Sequence, residues 1–287
     1  MSKAFEILLD TLNLTPKSEL IYEGPSYDPG WNRVYGGQVI AQALIAASKT
    51  APDKECHSLH GYFMRPGDPD QAVSYHVDPV HDGRSFLTRM IHAKQGNETI
   101  FAMSASFHRK ETGLDHQDSL VDIPKPEDLP NAAELLDQHS DKLPPEVVAY
   151  FLRDRSFEMR PIDINRYINP TPSKPEQGFW IRPSGKIDGS KAIQKAALAF
   201  VSDFTLLDTA LIAHGKLLFD PAIMTVSLDH SIWFHRPFDI NDWLFYRLTS
   251  PNAYGARALC FGQFYDQNGK LIASTAQEGL TRPVQRK

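Results

Sequence analysis

Just after Gly36-Gly37, the apolar residues Val39, Ile40, Ala43, Leu44 and Ala47 recur at helical spacing. One apolar stripe of this kind predicts a helix over about 38–48 that packs on a sheet. Four short apolar runs come next, at 58–64, 72–77, 85–93 and 99–108, each bounded by Gly, Pro, Asp or Asn, and these predict strands. Beyond residue 175 the same order returns. A long apolar stripe predicts a helix over about 190–214, then strands near 223–234, 243–250, 256–265 and 271–282.

Between the two blocks the periodicity fades, and ten of the 21 prolines lie between Pro124 and Pro183. The expected organisation is an N-terminal repeat over 1–115, a Pro-rich connector over 116–175 and a C-terminal repeat over 176–287. Within the connector, Pro144-Pro145 followed by Val147, Val148, Tyr150 and Phe151 has the pattern of a helix start and an apolar face. Residue identities support the duplication. Phe63-Met64-Arg65-Pro66 answers Phe234-His235-Arg236-Pro237, and Ala102 answers Ala273, both 171 residues apart. Ser58-Leu59-His60 corresponds to Ser227-Leu228-Asp229-His230 with a two-residue slip that a bulge could absorb. One helix across one antiparallel sheet, twice per chain, is an α+β arrangement. Joining the sheets edge to edge removes two exposed edges and leaves a cleft between the halves.

Composition narrows the function classes. With 41% hydrophobic and 23% charged residues the chain reads as globular. A net charge of −5 with interspersed acids and bases gives no basic stripe, so no nucleic acid is expected as a partner. No membrane insertion is expected either, and no export signal is evident at the N-terminus. Cys56 and Cys260 have neither metal-ligand nor disulfide spacing, which suits a reducing, cytoplasmic setting.

The candidate chemistry centres on Asp203, an acid on the stripe formed by Ala199, Phe200, Leu206, Leu207 and Ala210. A buried carboxyl needs hydrogen-bond donors or it neutralises. Alternatively the helix breaks at Ser202 and Asp203 caps the next segment. Gln277 shares a strand face with Leu271, Ala273, Thr275 and Gly279, where an amide could hold a water or a carbonyl, or else lies on an edge facing solvent. Ser227, on another strand, gains interest only from their company. The repeats act as mutual controls: Gln277 answers Ser106, Ser227 answers Ser58, and the 38–48 helix holds no carboxylate, so one complete set per chain is expected. His57, His60, His230 and His235 fall among apolar residues as core or cleft-wall histidines, and no metal site is expected. Arg65 and Arg236 end strands, where they are structural or approach phosphates. No Gly-x-Ser-x-Gly elbow, phosphate-binding loop or dinucleotide fingerprint is present, and no cofactor is called for.

The segments Val34-Tyr35-Gly36-Gly37-Gln38, Tyr62-Phe63-Met64-Arg65-Pro66-Gly67-Asp68, Asp229-His230-Ser231-Ile232-Trp233-Phe234-His235-Arg236-Pro237-Phe238 and Ser274-Thr275-Ala276-Gln277-Glu278-Gly279 resemble the acyl-CoA thioesterase II family. The resemblance runs nearly end to end. It implies a double hotdog fold, two fused helix-on-antiparallel-sheet repeats forming one continuous sheet, and hydrolysis of acyl-CoA. It also implies that Asp203, Ser227 and Gln277 occupy the family's Asp, Thr-or-Ser and Gln positions, which hold and polarise the attacking water. Ser227 stands where the best-known bacterial members have threonine. Backbone N–H groups at Gly37 and Gln38 are candidate oxyanion donors, and His60 and Arg65 are candidate substrate contacts. Association into a homo-oligomer, a dimer or tetramer, is expected as well. Two other readings are a hotdog-type enoyl-CoA hydratase and a non-catalytic acyl-CoA sensor. The hydratase would need His five residues after the Asp, where this chain has Asp208.

Overall fold

A computed structural model describes residues 2–27, 30, 32–120, 123–218 and 220–284. The first half contains α1 (Lys3–Thr11), β1 (Thr15–Pro16), β2 (Ile21–Gly24), α2 (Gly36–Lys49), β3 (Glu55–Phe63), β4 (Val73–Asp82), β5 (Phe86–Gln95) and β6 (Glu98–His108). The middle stretch holds α3 (Ala132–His139), α4 (Pro145–Leu152), β7 (Phe157–Pro161) and α5 (Asn165–Ile168). The second half contains β8 (Glu176–Pro183), α6 (Lys191–Ser202), a 3-10 segment (Leu207–His214), β9 (Ile223–Ser227), β10 (Asp229–Phe234), β11 (Leu244–Tyr254), β12 (Arg257–Tyr265) and β13 (Leu271–Pro283).

The thirteen strands among the described residues belong to one antiparallel sheet, in the order β1-β2-β4-β5-β6-β3-β10-β13-β12-β11-β8-β7, with β9 also on β13. The fold is the expected α+β double hotdog. Its seam is the β3–β10 pair, where His60 lies opposite Ser231, its own counterpart 171 residues along the chain. A pseudo-twofold axis therefore passes through that pair, and the two inner edges of the half-sheets satisfy each other.

The sheet wraps two helices that pack against each other. Every residue of α2 from Gly37 to Ala47 is buried, because one face of the helix meets the sheet and the other meets α6. Such close packing needs small side chains, and Ala41, Ala43, Ala46 and Ala47 answer Ala196, Ala197 and Ala199. The two buried polar residues of α2 are satisfied. Gln38 and Gln42 both donate to Pro25 O, and Tyr75 donates to Gln42 Oε1.

Two sequence expectations change. The helix expected over 190–214 is broken: α6 stops at Ser202, Asp203 is its C-cap, and Thr205 has a left-handed φ of 58° before the 3-10 segment begins. By length and composition alone Lys191–His214 is apolar enough to cross a membrane, but 78% of its 18-residue apolar window is buried inside this fold. Its apolarity serves the core. The middle stretch is also more ordered than its prolines suggest. α4 begins at Pro145 as expected, α3 is closed by an Asn131–Glu134 capping box, and β7 adds an edge strand. Leu135, Leu143, Val147, Phe151, Tyr167 and Leu217 form a small core of their own there.

Candidate active site

Asp203 is placed by the end of α6, and that end is held from several sides. Tyr35 donates to Phe200 O at 2.8 Å, Tyr246 donates to Ser202 O at 2.7 Å, and the Ser202 hydroxyl donates to Ala199 O at 2.8 Å. These bonds satisfy carbonyls that the broken helix would otherwise leave open. Beyond the turn, Gln177 donates to Thr205 O and Thr209 Oγ1, while Arg166 pairs with Asp208 at 2.7 Å. Asp208, five residues after Asp203, is thus the partner of an arginine.

The Asp203 side chain is half-buried and meets two other elements, β13 and the start of α2. Gln277 Nε2 on β13 donates to its Oδ1 at 2.7 Å, and the Gly37 N–H at the start of α2 donates to its Oδ2 at 3.0 Å. Burial pushes the carboxyl up to about 6, against the opposing pull of Gln277, Gly37, the Arg33 guanidinium and the Ser227 hydroxyl. Ser227 ends β9 opposite Gly279, on the same sheet face as Gln277. The three side chains singled out in the sequence are brought together.

Glycine is required where α2 meets α6. A Cβ on Gly37 would lie 2.3 Å from Phe200 O, and one on Gly36 would lie 2.8 Å from Asp203 Oδ2. The same closeness changes the expected role of the helix start. The Gly37 N–H is committed to Asp203 rather than free for an oxyanion, and the Gln38 N–H bonds back to Tyr35 O at 3.2 Å. His60 and Arg65 are not brought to Asp203 either. His60 is exposed on the opposite sheet face, 3.1 Å from Ser231 Oγ. Arg65 forms an exposed ion pair with Glu98 at 2.8 Å.

Two residues not singled out for a role stand at the site. Arg33 precedes α2, reaches Thr225 O at 3.5 Å and contributes positive charge near Asp203. His230 on β10 is fully buried and lies between Gln277 and Ser202, at 3.2 and 2.9 Å. The repeat held the signal for it. Leu59 pairs with Ala105, and extending the β10–β13 register by one residue sets His230 opposite Gln277. The counterparts of His230 and Gln277 are therefore Leu59 and Ala105, which revises the match of Gln277 to Ser106. The first half is filled differently: Arg89, beside Ala105, is buried and bonds to Thr50, the C-cap of α2, and to Asp82. Among the described residues no second acid, amide and hydroxyl set occupies that place.

Among the described residues no cluster of His, Cys, Asp and Glu is arranged to hold a metal ion. Cavities of about 450 and 400 Å³ lie against the middle stretch and do not include Asp203.

Comparison with known proteins agrees with the fold. Residues 147–280 match the family described as acyl-CoA thioesterase, and residues 26–108 match the acyl-CoA thioesterase N-terminal domain. Acyl-CoA thioesterase 2 of Haemophilus influenzae is 39% identical over 98% of this chain and 99% of its own. Human acyl-coenzyme A thioesterase 8 is 36% identical over 96% of this chain and 89% of its own. The crystal structure of an acyl-CoA thioesterase II from Mycobacterium marinum superposes with a TM-score of 0.80 at 34% identity, covering 97% of this chain and 99% of that one. Full-length identity of this order, on the same double hotdog, makes the chain a member of the acyl-CoA thioesterase II family.

Proposed function

We propose that this thioesterase hydrolyses fatty acyl-CoA to free fatty acid and coenzyme A by direct attack of a water held by Asp203, Ser227 and Gln277. A thioester carbonyl is already electrophilic, so a positioned and deprotonated water suffices without a covalent intermediate. Asp203 accepts the proton as water attacks the carbonyl carbon. The tetrahedral intermediate then collapses, the C–S bond breaks, and the proton on Asp203 passes to the departing coenzyme A sulfur.

The observation carrying this reading is the half-buried Asp203 carboxylate, held through one oxygen by Gln277 and through the other by Gly37, with its pKa raised to about 6. Each carboxylate oxygen keeps a second lone pair for water. Gln277 Oε1 is buried without a hydrogen-bond partner among the described residues, and it supplies an acceptor for the same water. Ser227 steadies the other side.

The hydratase alternative loses support because Asp208 is tied to Arg166, while a sensor would bind acyl-CoA without releasing thiol. Self-association and a cytoplasmic setting belong to this proposal too. Tyr62, Trp233 and Phe261 leave apolar surface exposed, and Cys56 and Cys260 are free and buried.

Asp203→Asn tests the mechanism. With short, medium and long acyl-CoA substrates, trapping of released thiol should show a rate at least about two orders of magnitude below the parent, with the fold intact. Near-full turnover in that variant would remove Asp203 as the base.

A further inference from the structure

We propose that His230 is a positioning residue which locks the Gln277 amide in its working orientation, with nitrogen toward Asp203 and oxygen toward the reacting water. The inference rests on the function proposed above and extends it.

Hydrogen-bond bookkeeping fixes every proton in the chain. Between Asp203 Oδ1 and His230 Nδ1 stands Gln277 Nε2, an atom that can only donate. His230 Nδ1 is therefore unprotonated and accepts. Its Nε2 then carries the hydrogen and donates to Ser202 Oγ, whose own hydrogen goes to Ala199 O. Burial keeps the ring neutral by pushing its pKa down to about 3. Both hydrogens of the Gln277 amide are then committed, and Oε1 is left as the unpartnered acceptor. Without the imidazole, one hydrogen of that amide loses its acceptor, and rotation by half a turn is opposed by Asp203 alone. A turned amide would set oxygen against the carboxylate and present donors to the water.

The other half fills the matching place with an apolar side chain. At the equivalent place in the first half stands Leu59, fully buried, opposite Ala105. At this one place imidazole stands only in the half where an amide has to be oriented.

The test is kcat, KM and the pH profile of three variants of the full chain. In His230→Leu, kcat should fall roughly 10- to 100-fold with little change in KM. The acid limb should move to higher pH, since Asp203 would lose a donor to its charged form. The charged and titratable groups around Asp203 are Arg33, Tyr35 and Tyr246 in addition to His230, and none of these is altered. In His230→Asn an amide oxygen can take the place of Nδ1, so most of kcat and the original acid limb should return. In His230→Gln the polar group reaches the Nε2 position instead, and the defect should persist. A folded leucine variant with parental kcat and profile would overturn the proposal, and so would equal behaviour of the Asn and Gln variants. The Asn and Gln pair decides the matter even where the leucine variant does not fold. The underlying function is tested separately by Asp203→Asn, so either idea can fail alone.

Discussion

At the residue scale, a carboxyl with a pKa of about 6 titrates within the working range of a hydrolase. Below that value the folded protein holds the proton, and under the proposed mechanism Asp203 no longer accepts one from water. The value of kcat/KM should therefore fall about tenfold per pH unit below pH 6 and level off above it. A plateau continuing down to pH 4.5 would mean that burial does not raise this group. Asp203 was legible because an acid on an apolar stripe demands an explanation. Its donors were less so. Which backbone N–H is free at a helix start depends on what packs there, and α6 takes the one at Gly37. His60 illustrates a further limit. Strand alternation assigns faces only while the register holds, and β3 has a bulge between Cys56 and Ser58, so Leu59 is buried and His60 faces away from the site.

At the element scale, the decisive contact is the crossing of the α2 start and the α6 end. Periodicity found both helices, because each buries a continuous apolar stripe. It left open the break after Ser202, which was the alternative reading of Asp203, because the 3-10 segment beyond it is just as apolar. The groups that end α6 are polar and distant in sequence: Tyr246 on Ser202 O, Gln177 on Thr205 O, and Arg166 on Asp208. No local pattern encodes those bonds. The crossing itself makes a prediction. Gly37→Ala would place a methyl 2.3 Å from Phe200 O and 2.5 Å from the Tyr35 ring, forcing the helices apart. Overpacking of this kind costs about 1–3 kcal/mol, so thermal unfolding should move down by a few degrees. Activity should fall further than stability alone explains, because the Gly37 bond to Asp203 lengthens. A variant with unchanged Tm and rate would show that the crossing tolerates a Cβ.

At the scale of the molecule, duplication was the most legible feature, since a shared offset of 171 predicts a twofold relation and the His60–Ser231 seam realises it. The edges were not legible. β1 and β2 are two and four residues long, and β7 lies among prolines, too short to show alternation, so pairing with longer neighbours is what makes them strands. Duplication also explains why one half can work while the other supports it. Where the second half sets Asp203, Gln277 and His230, the first sets Thr50, Ala105 and Leu59 and fills the space with Arg89. The central proposal is a water activated by Asp203, and oxygen tracing tests it most directly. Enzyme in excess over a fatty acyl-CoA, in water enriched in oxygen-18, should give fatty acid carrying one heavy oxygen from the first turnover, while the peptide containing Asp203 stays at its original mass. Heavy oxygen in the Asp203 carboxylate, with unlabelled fatty acid released first, would show that the acid attacks the thioester itself and would contradict the account.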